Sequence, residues 1–369
     1  MTGFGRFFLP GPTEVRPEVL EALRRPAIGH RSAEIVELIE GMKPRLSALF
    51  RTERPVFLST SSATGMMEAA ITNLSRRRVL CLVCGAFSER FRQIAEACGR
   101  PADALETEWG EPSRPEALRE RLAAEPGRYD LVTVVHSETS TGVLNPVAEL
   151  AAVVREQEGL LLAVDTVSSL AGAPVLTDDW GLDFVLTGAQ KALALPPGLA
   201  LAVASERALG RAREVERRGF YFDLLKFERQ MERSQTPNTP CVSLFFALDR
   251  QLARIEAEGL EDRWQRHEAM ARRTHAWVEE VAARTGRPFR VLAPEGYRSP
   301  TVTAVRLPDG LEGPSVAARL GERGYTVAPG YGKLRRDGIR IGHMGDHTPA
   351  ELEELLGVLG DVLEEALAA

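Results

Sequence analysis

The feature that most constrains this chain of 369 residues is an alternation running from about residue 55 to residue 204. Val56–Leu58, Val79–Val83, Leu131–Val135, Leu160–Val164, Phe184–Leu186 and Leu199–Val203 are short, unbroken apolar runs, the pattern of strands buried on both faces. Between them, Ser88–Cys98, Pro115–Ala124 and Val147–Gln157 space their apolar residues for helices. Such an alternation predicts an α/β fold in which a mostly parallel sheet is flanked by helices on both faces. Beyond Ser205 the pattern changes. Leu260, Trp264, His267, Ala271, Thr274, Val278 and Val281 recur at steps of four and three, predicting one long helix. Strands near Val302–Val305 and Ile339–Ile341 follow, then a helix opened by Thr348-Pro-Ala-Glu351, which is a capping box with proline at the first helical position. These elements predict a small α+β unit at the C-terminal end.

Composition narrows the function classes. Lys plus Arg number 46 against 52 Asp plus Glu, a net charge of −6, so a general electrostatic hold on nucleic acid or an anionic membrane is not expected. The apolar stretch Ala192–Ala204 is interrupted by Pro196 and Pro197, so it cannot supply the ~20 residues of a membrane span. The first ten residues hold no signal-like apolar run, and the expected location is the cytoplasm. Cys81 and Cys84 form a CxxC inside a buried strand, with no second pair and no nearby His to complete a metal site, so no metal is expected.

The common phosphate and hydrolase motifs are missing: GxxxxGK[ST] and GxSxG do not occur, and Gly3-Phe-Gly5 continues to Phe8 where GxGxxG requires glycine. What stands out is Lys191, placed just after a buried strand and before a Pro-Pro-Gly loop. Burial would depress its pKa toward the reactive amine that a Schiff-base lysine requires. Asp165 ends the run Leu160–Val164, at the strand edge where open α/β sheets bind ligands. Alone, Lys191 could snorkel to the surface and Asp165 could cap a turn. Together they suggest pyridoxal phosphate, which needs a lysine for its aldehyde and an acid to keep its ring nitrogen protonated. Ser59-Thr-Ser-Ser-Ala-Thr-Gly65, between a strand and a helix, offers a cradle for the phosphate, and Val135–Gly142 brings further hydroxyls to the same edge.

With these residues in place, the whole chain resembles the class V pyridoxal-phosphate aminotransferases, specifically their alanine–glyoxylate and serine–pyruvate branch of fold type I. The resemblance is carried, in order, by Leu9-Pro-Gly-Pro12, Gly29-His-Arg-Ser32, His136–Gly142, Val164-Asp-Thr-Val167, Gly188-Ala-Gln-Lys191, Thr236–Pro240 and Ile339–Gly345. It implies a large cofactor-binding domain over 13–258, a small C-terminal domain over 259–369, and a segment 1–12 that packs near the active site. By the same resemblance Lys191 is the Schiff-base lysine and the base that moves the substrate proton, and Asp165 partners the ring nitrogen. Ser62, Ala63, Thr64 and Gln190 hold the phosphate. Thr139 lies near the cofactor's phenolic oxygen, and Phe87, where the family often has Trp, sandwiches the ring with Val167. Arg340 and Gly11 bind substrate, Arg340 as the carboxylate fork. The segment with Thr239 serves the neighbouring subunit's phosphate, which implies a homodimer with shared sites; Thr236 stands where relatives carry Tyr.

The expected reaction is a ping-pong transamination between a small 2-amino acid, alanine or serine, and a 2-oxo acid, glyoxylate or pyruvate. An alternative is an acidic donor, aspartate or phosphoserine, whose second anion would need Arg31 or Lys333, Arg335 and Arg336. A lyase of the same fold is disfavoured by Gln190, where those relatives usually carry His.

Overall fold

The computed structural model describes residues 4–368. Among them seven strands form the main sheet, in the order β1-β9-β8-β7-β4-β2-β3: β1 (Val56–Ser59), β2 (Val79–Val83), β3 (Ala102–Glu106), β4 (Leu131–Val135), β7 (Leu161–Asp165), β8 (Phe184–Gly188) and β9 (Ala200–Ala204). A two-residue hairpin, β5 (Ser137–Glu138) and β6 (Val143–Leu144), leaves the end of β4. β3, β2, β4, β7 and β8 run parallel; the four inner strands of this set are buried throughout, as a parallel sheet covered on both faces requires, while β3 is a half-exposed edge. β9 is reversed and pairs antiparallel with both β8 and β1, so the sheet is parallel except for this strand. Helices Ala63–Leu74, Ala86–Ala97 and Val147–Arg155 pack on the sheet and enclose its core.

The C-terminal part has its own four-stranded antiparallel sheet, β10 (Arg290–Val291), β11 (Thr303–Arg306), β12 (Ala328–Pro329) and β13 (Gly338–Ile341), in the order β10-β11-β13-β12. Helices Leu260–Thr285, Gly313–Glu322 and Pro349–Ala368 cover it around a second hydrophobic core that includes Trp277, Val281, Ile339 and Leu359. The expected capping box forms: the Thr348 amide donates to Glu351 Oε2 at 2.7 Å, and the Glu351 amide to Thr348 Oγ1 at 3.3 Å. No described helix is long and apolar enough to cross a membrane.

The N-terminal segment ties the two parts together. Phe8 is buried in the second core. Its amide donates to the Thr326 carbonyl and its carbonyl accepts from Gly342, each at 2.8 Å, while the Thr13 amide donates to the Gln190 carbonyl at 3.0 Å. Residues 4–12 thus run from the small sheet to the loop that carries Lys191. Residues 1–3, including the Gly3 of the failed glycine motif, and Ala369 lie outside the described residues.

Candidate active site

Register places three strand ends side by side. Val135 on β4 pairs with Asp165 on β7, and Asp165 pairs with Leu186 on β8. The strands end at or just beyond this level, where the chain turns polar: His136-Ser-Glu after β4, Thr166-Val-Ser after β7, and Thr187-Gly at the end of β8 followed by Ala-Gln-Lys191. One cavity opens over these ends, and its lining includes nine of the expected residues: Ser62, Ala63 and Thr64 from the first helix, Phe87 from the second, Thr139, Asp165 and Val167 from the strand ends, and Gln190 with Lys191 from the β8–β9 loop.

The cavity's chemistry follows from burial. Asp165 is 4% exposed, and the only hydrogen bond to its carboxylate among the described residues is the one Oδ1 accepts from the Val167 amide at 2.8 Å. Burial pushes its carboxyl up to about 7, with the Val167 amide pulling the other way. Burial likewise pulls the Lys191 ammonium down to about 8, helped by the positive charge of Arg340, so roughly a tenth of the amine is unprotonated at pH 7, far more than for an exposed lysine. Lys191 Nζ donates to the Pro10 carbonyl and sits 5.6 Å from the centre of the Phe87 ring. Gly11 (φ +97°) lets the N-terminal segment pass this lysine, since a Cβ there would come within 2.1 Å of Lys191 Cδ.

At the other end of the cavity, helix Ala63–Leu74 begins with Ser62, whose side chain makes no cap hydrogen bond. The Gly65 amide is taken by the Ser62 carbonyl at 3.0 Å, but the Ala63 and Thr64 amides and the Ser62 and Thr64 side chains remain for an anion, which the helix dipole favours.

Arg340 comes from β13 of the small sheet and is 8% exposed. Its guanidinium donates to the Pro329 carbonyl at 3.1 Å and the Thr139 carbonyl at 3.4 Å, and it has no carboxylate partner among the described residues. Asp337, the acid nearest in sequence, is taken by Arg306 at 3.3 Å. Burial pulls Arg340 down to about 10, still charged at neutral pH.

Of the residues in and around the site that are not among the sequence candidates, three shape its chemistry. Glu138, fully buried, accepts from the Ser88 amide at 2.9 Å, Ser88 Oγ at 3.0 Å and Ser140 Oγ at 2.6 Å, and from the Phe87 amide, so it fixes the helix turn that presents Phe87. Gly85 admits it, because a Cβ there would lie 2.5 Å from the carboxyl carbon. Arg90 also lines the cavity; it stands three residues after Phe87, a helical spacing that could have found it. Tyr331, whose ring stacks with Phe87 at 5.4 Å, arrives on the β12–β13 connection, and no local pattern announces it.

The remaining candidates fall elsewhere. Thr239 lies with Thr60, Tyr221 and Asn238 in a separate shallow depression, outside the cavity of its own chain. Arg31 donates to the Thr236 carbonyl at 2.8 Å, Lys333 covers the Trp109 ring at 4.5 Å, and Arg336 pairs with Glu312; neither these nor Arg335 line the cavity.

The family model for the class V aminotransferases matches residues 8–331. This chain belongs to that family. It is 41% identical over 345 residues to an uncharacterized aminotransferase of Methanocaldococcus jannaschii, spanning 91% of this chain and 87% of the relative. It is 34% identical to the L-aspartate–glyoxylate aminotransferase of Paracoccus denitrificans, over 95% of this chain and 89% of that one. The crystal structure of an alanine–glyoxylate aminotransferase from Nostoc sp. superposes with a TM-score of 0.90 at 31% identity, covering 98% of this chain and 96% of the other.

As a class V aminotransferase the protein depends on pyridoxal phosphate, and the residues of its cavity fit that group. Asp165 is a buried carboxylate short of a donor, which a protonated ring nitrogen would supply. Lys191 is a buried amine, and the first turn of helix Ala63–Leu74 leaves amides for a phosphate.

Proposed function

We propose that this class V aminotransferase transfers the amino group of a small 2-amino acid, alanine or serine, to glyoxylate or pyruvate in two ping-pong half-reactions. The observation that carries the reading is the meeting, in one cavity, of Lys191, the donor-poor carboxylate of Asp165 and the uncapped first turn of helix Ala63–Leu74. Bound there, pyridoxal phosphate supplies a carbonyl carbon open to a primary amine and a protonated ring that draws electrons from it.

The chain's own residues do the rest. Ser62, Ala63, Thr64 and Gln190 hold the phosphate; Asp165 keeps the ring nitrogen protonated; Phe87 and Val167 bound the ring's two faces, with Thr139 beside its phenolic oxygen. Lys191 Nζ takes the proton from the substrate's Cα, and its depressed basicity suits that task near neutral pH. Arg340, with Gly11 beside it, grips the substrate's α-carboxylate through a planar two-pronged fork. The same reading divides the chain into domains at 13–258 and 259–369, supported by the two hydrophobic cores, with the N-terminal segment closing the site between them. It also makes the enzyme a homodimer, in which Thr239, away from its own cavity, completes the phosphate site of the neighbouring subunit.

Borohydride reduction of the loaded enzyme, followed by peptide mapping, should label Lys191, and Lys191→Ala should take up no label and lose transamination. Labelling of a different lysine would remove the assignment. Mixing the enzyme with alanine or serine alone, without any 2-oxo acid, should convert the cofactor spectrum once per site and release one equivalent of pyruvate or hydroxypyruvate.

A further inference from the structure

The cavity and its margin hold one cation more than a monocarboxylate donor requires. Arg90 lies on helix Ala86–Ala97 and lines the same cavity as Lys191 and Asp165. Its neighbour on that helix, Arg92, is paired with Glu89 and Glu96. Arg90 has no such partner: its guanidinium lies 4.8 Å from the centre of the Phe87 ring, and Nη2 reaches to 3.5 Å from Tyr331 Oη. Arg340 approaches the same tyrosine, with its guanidinium carbon 5.1 Å from the ring centre. Two guanidinium groups without carboxylate partners among the described residues therefore flank one Phe87–Tyr331 stack.

Arg90 lines the cavity and Arg340 lies beside it, against the Thr139 carbonyl; like charges so placed repel, and each loses part of its hydration there. An anion that enters between them relieves both costs. One fork satisfies one carboxylate, so the second has capacity for a second carboxylate on the same molecule. The two differ in depth: Arg340 is buried against Thr139, whereas Arg90 is half-buried beside Tyr331, which is 36% exposed. The inner fork fits the carboxylate next to the reacting carbon, and the outer one fits a group farther along the chain.

Resting on the reading of Arg340 as the α-carboxylate fork, we infer that Arg90 is a specificity-determining residue that binds the distal carboxylate of a dicarboxylic 2-amino or 2-oxo acid. The Tyr331 hydroxyl orients it. The protein would thus accept a four-carbon dicarboxylic amino donor beside the small neutral ones.

Unreactive analogues separate this from catalysis. Succinate and butyrate, which differ in the terminal carboxylate, are titrated into the cofactor-loaded enzyme by calorimetry. Succinate should bind the unaltered enzyme about tenfold or more tightly than butyrate, the scale of one charged hydrogen-bonded pair. Arg90→Gln should erase most of that ratio and Arg90→Lys should keep part of it. Equal affinity of the unaltered enzyme for the two acids would overturn the inference without recourse to any variant, as would an Arg90→Gln enzyme that weakens both in proportion, the mark of a structural role. Spectral conversion by alanine, run alongside, keeps the two levels apart. An enzyme that converts alanine yet shows no succinate preference loses only the Arg90 assignment, whereas one that converts no amino acid loses the reading on which it rests.

Discussion

Replacing Asp165 with asparagine should stabilise the cofactor-free protein at alkaline pH, and the structure sets the size of the effect. The carboxyl is 4% exposed and is held at about 7 instead of 3.8, chiefly by burial. A group whose folded pKa is raised contributes its full stability below the unfolded value and loses it as pH rises through the folded one. A shift from 3.8 to about 7 corresponds to about 4 kcal/mol by pH 8. About 2 to 3 kcal/mol of that falls between pH 5 and pH 8. Asparagine carries no charge to desolvate and loses nothing over the interval. Urea unfolding of the two cofactor-free proteins at pH 5 and pH 8 should therefore show the variant gaining on the original by that amount, other titrating groups cancelling in the comparison. Loading with cofactor should reverse the preference, because an amide cannot keep the ring nitrogen protonated, and turnover should fall about a hundredfold or more. A stability difference that stays the same at both pH values would refute the claim that Asp165 sits as an unsatisfied charge waiting for a cation.

Three further expectations rest on other parts of the site. Arg340→Lys keeps the charge but loses the fork, and kcat/KM for every accepted amino acid should drop by about 2 kcal/mol while the cofactor's absorbance stays intact; unchanged kcat/KM would take Arg340 out of the site. Gly11→Ala places a β-carbon where Lys191 Cδ lies 2.1 Å away, at a φ of +97°, so thermal unfolding should shift down by about 1 kcal/mol or more and the rate of cofactor uptake should fall; a variant with the original melting temperature and uptake would contradict the close approach. If Thr239 completes the partner's phosphate site, cofactor affinity should weaken as protein is diluted below its dimer dissociation constant, and dilution-independent affinity would argue for sites complete within one chain.

Much of the architecture is legible in the sequence for a physical reason. Strands buried on both faces must be apolar throughout, so β2, β4, β7, β8 and β9 each lie within a residue or two of their apolar runs. The edge strand β3, Ala-Asp-Ala-Leu-Glu, is half-exposed and lacks that signature, and it is missing from the sequence reading. The reversal of β9 is likewise invisible, because an apolar run carries no direction. At the site, Lys191 and Asp165 are legible since a charged residue ending a buried strand stands out against its neighbours. Arg90 is legible only through its helical spacing from Phe87, and Tyr331 is not legible at all, because it looks like a surface residue until the β12–β13 connection is brought against helix Ala86–Ala97. The acidic-donor alternative illustrates the difference: sequence proximity points to Arg31, Lys333, Arg335 and Arg336, and the fold turns all of them away from the cavity of their own chain.

The order of strands also bears on how quickly the site assembles. β1 is one of the two outermost strands, hydrogen-bonded to β9 alone, and its partner residues lie roughly 140 positions away along the chain, whereas β8 and β9 meet across a loop of about a dozen residues. Closing so long a loop costs entropy before any pairing compensates for it, which makes β1 a late arrival in folding and an early departure in local opening. Ser62, Ala63 and Thr64 follow β1 directly, so the phosphate cradle is attached to the slowest-forming edge of the sheet, while Asp165 and Lys191 belong to its fast-forming middle. A cofactor held at both ends bridges those two kinetic zones, and amide exchange in Val56–Ser59 is where its protective effect should be concentrated.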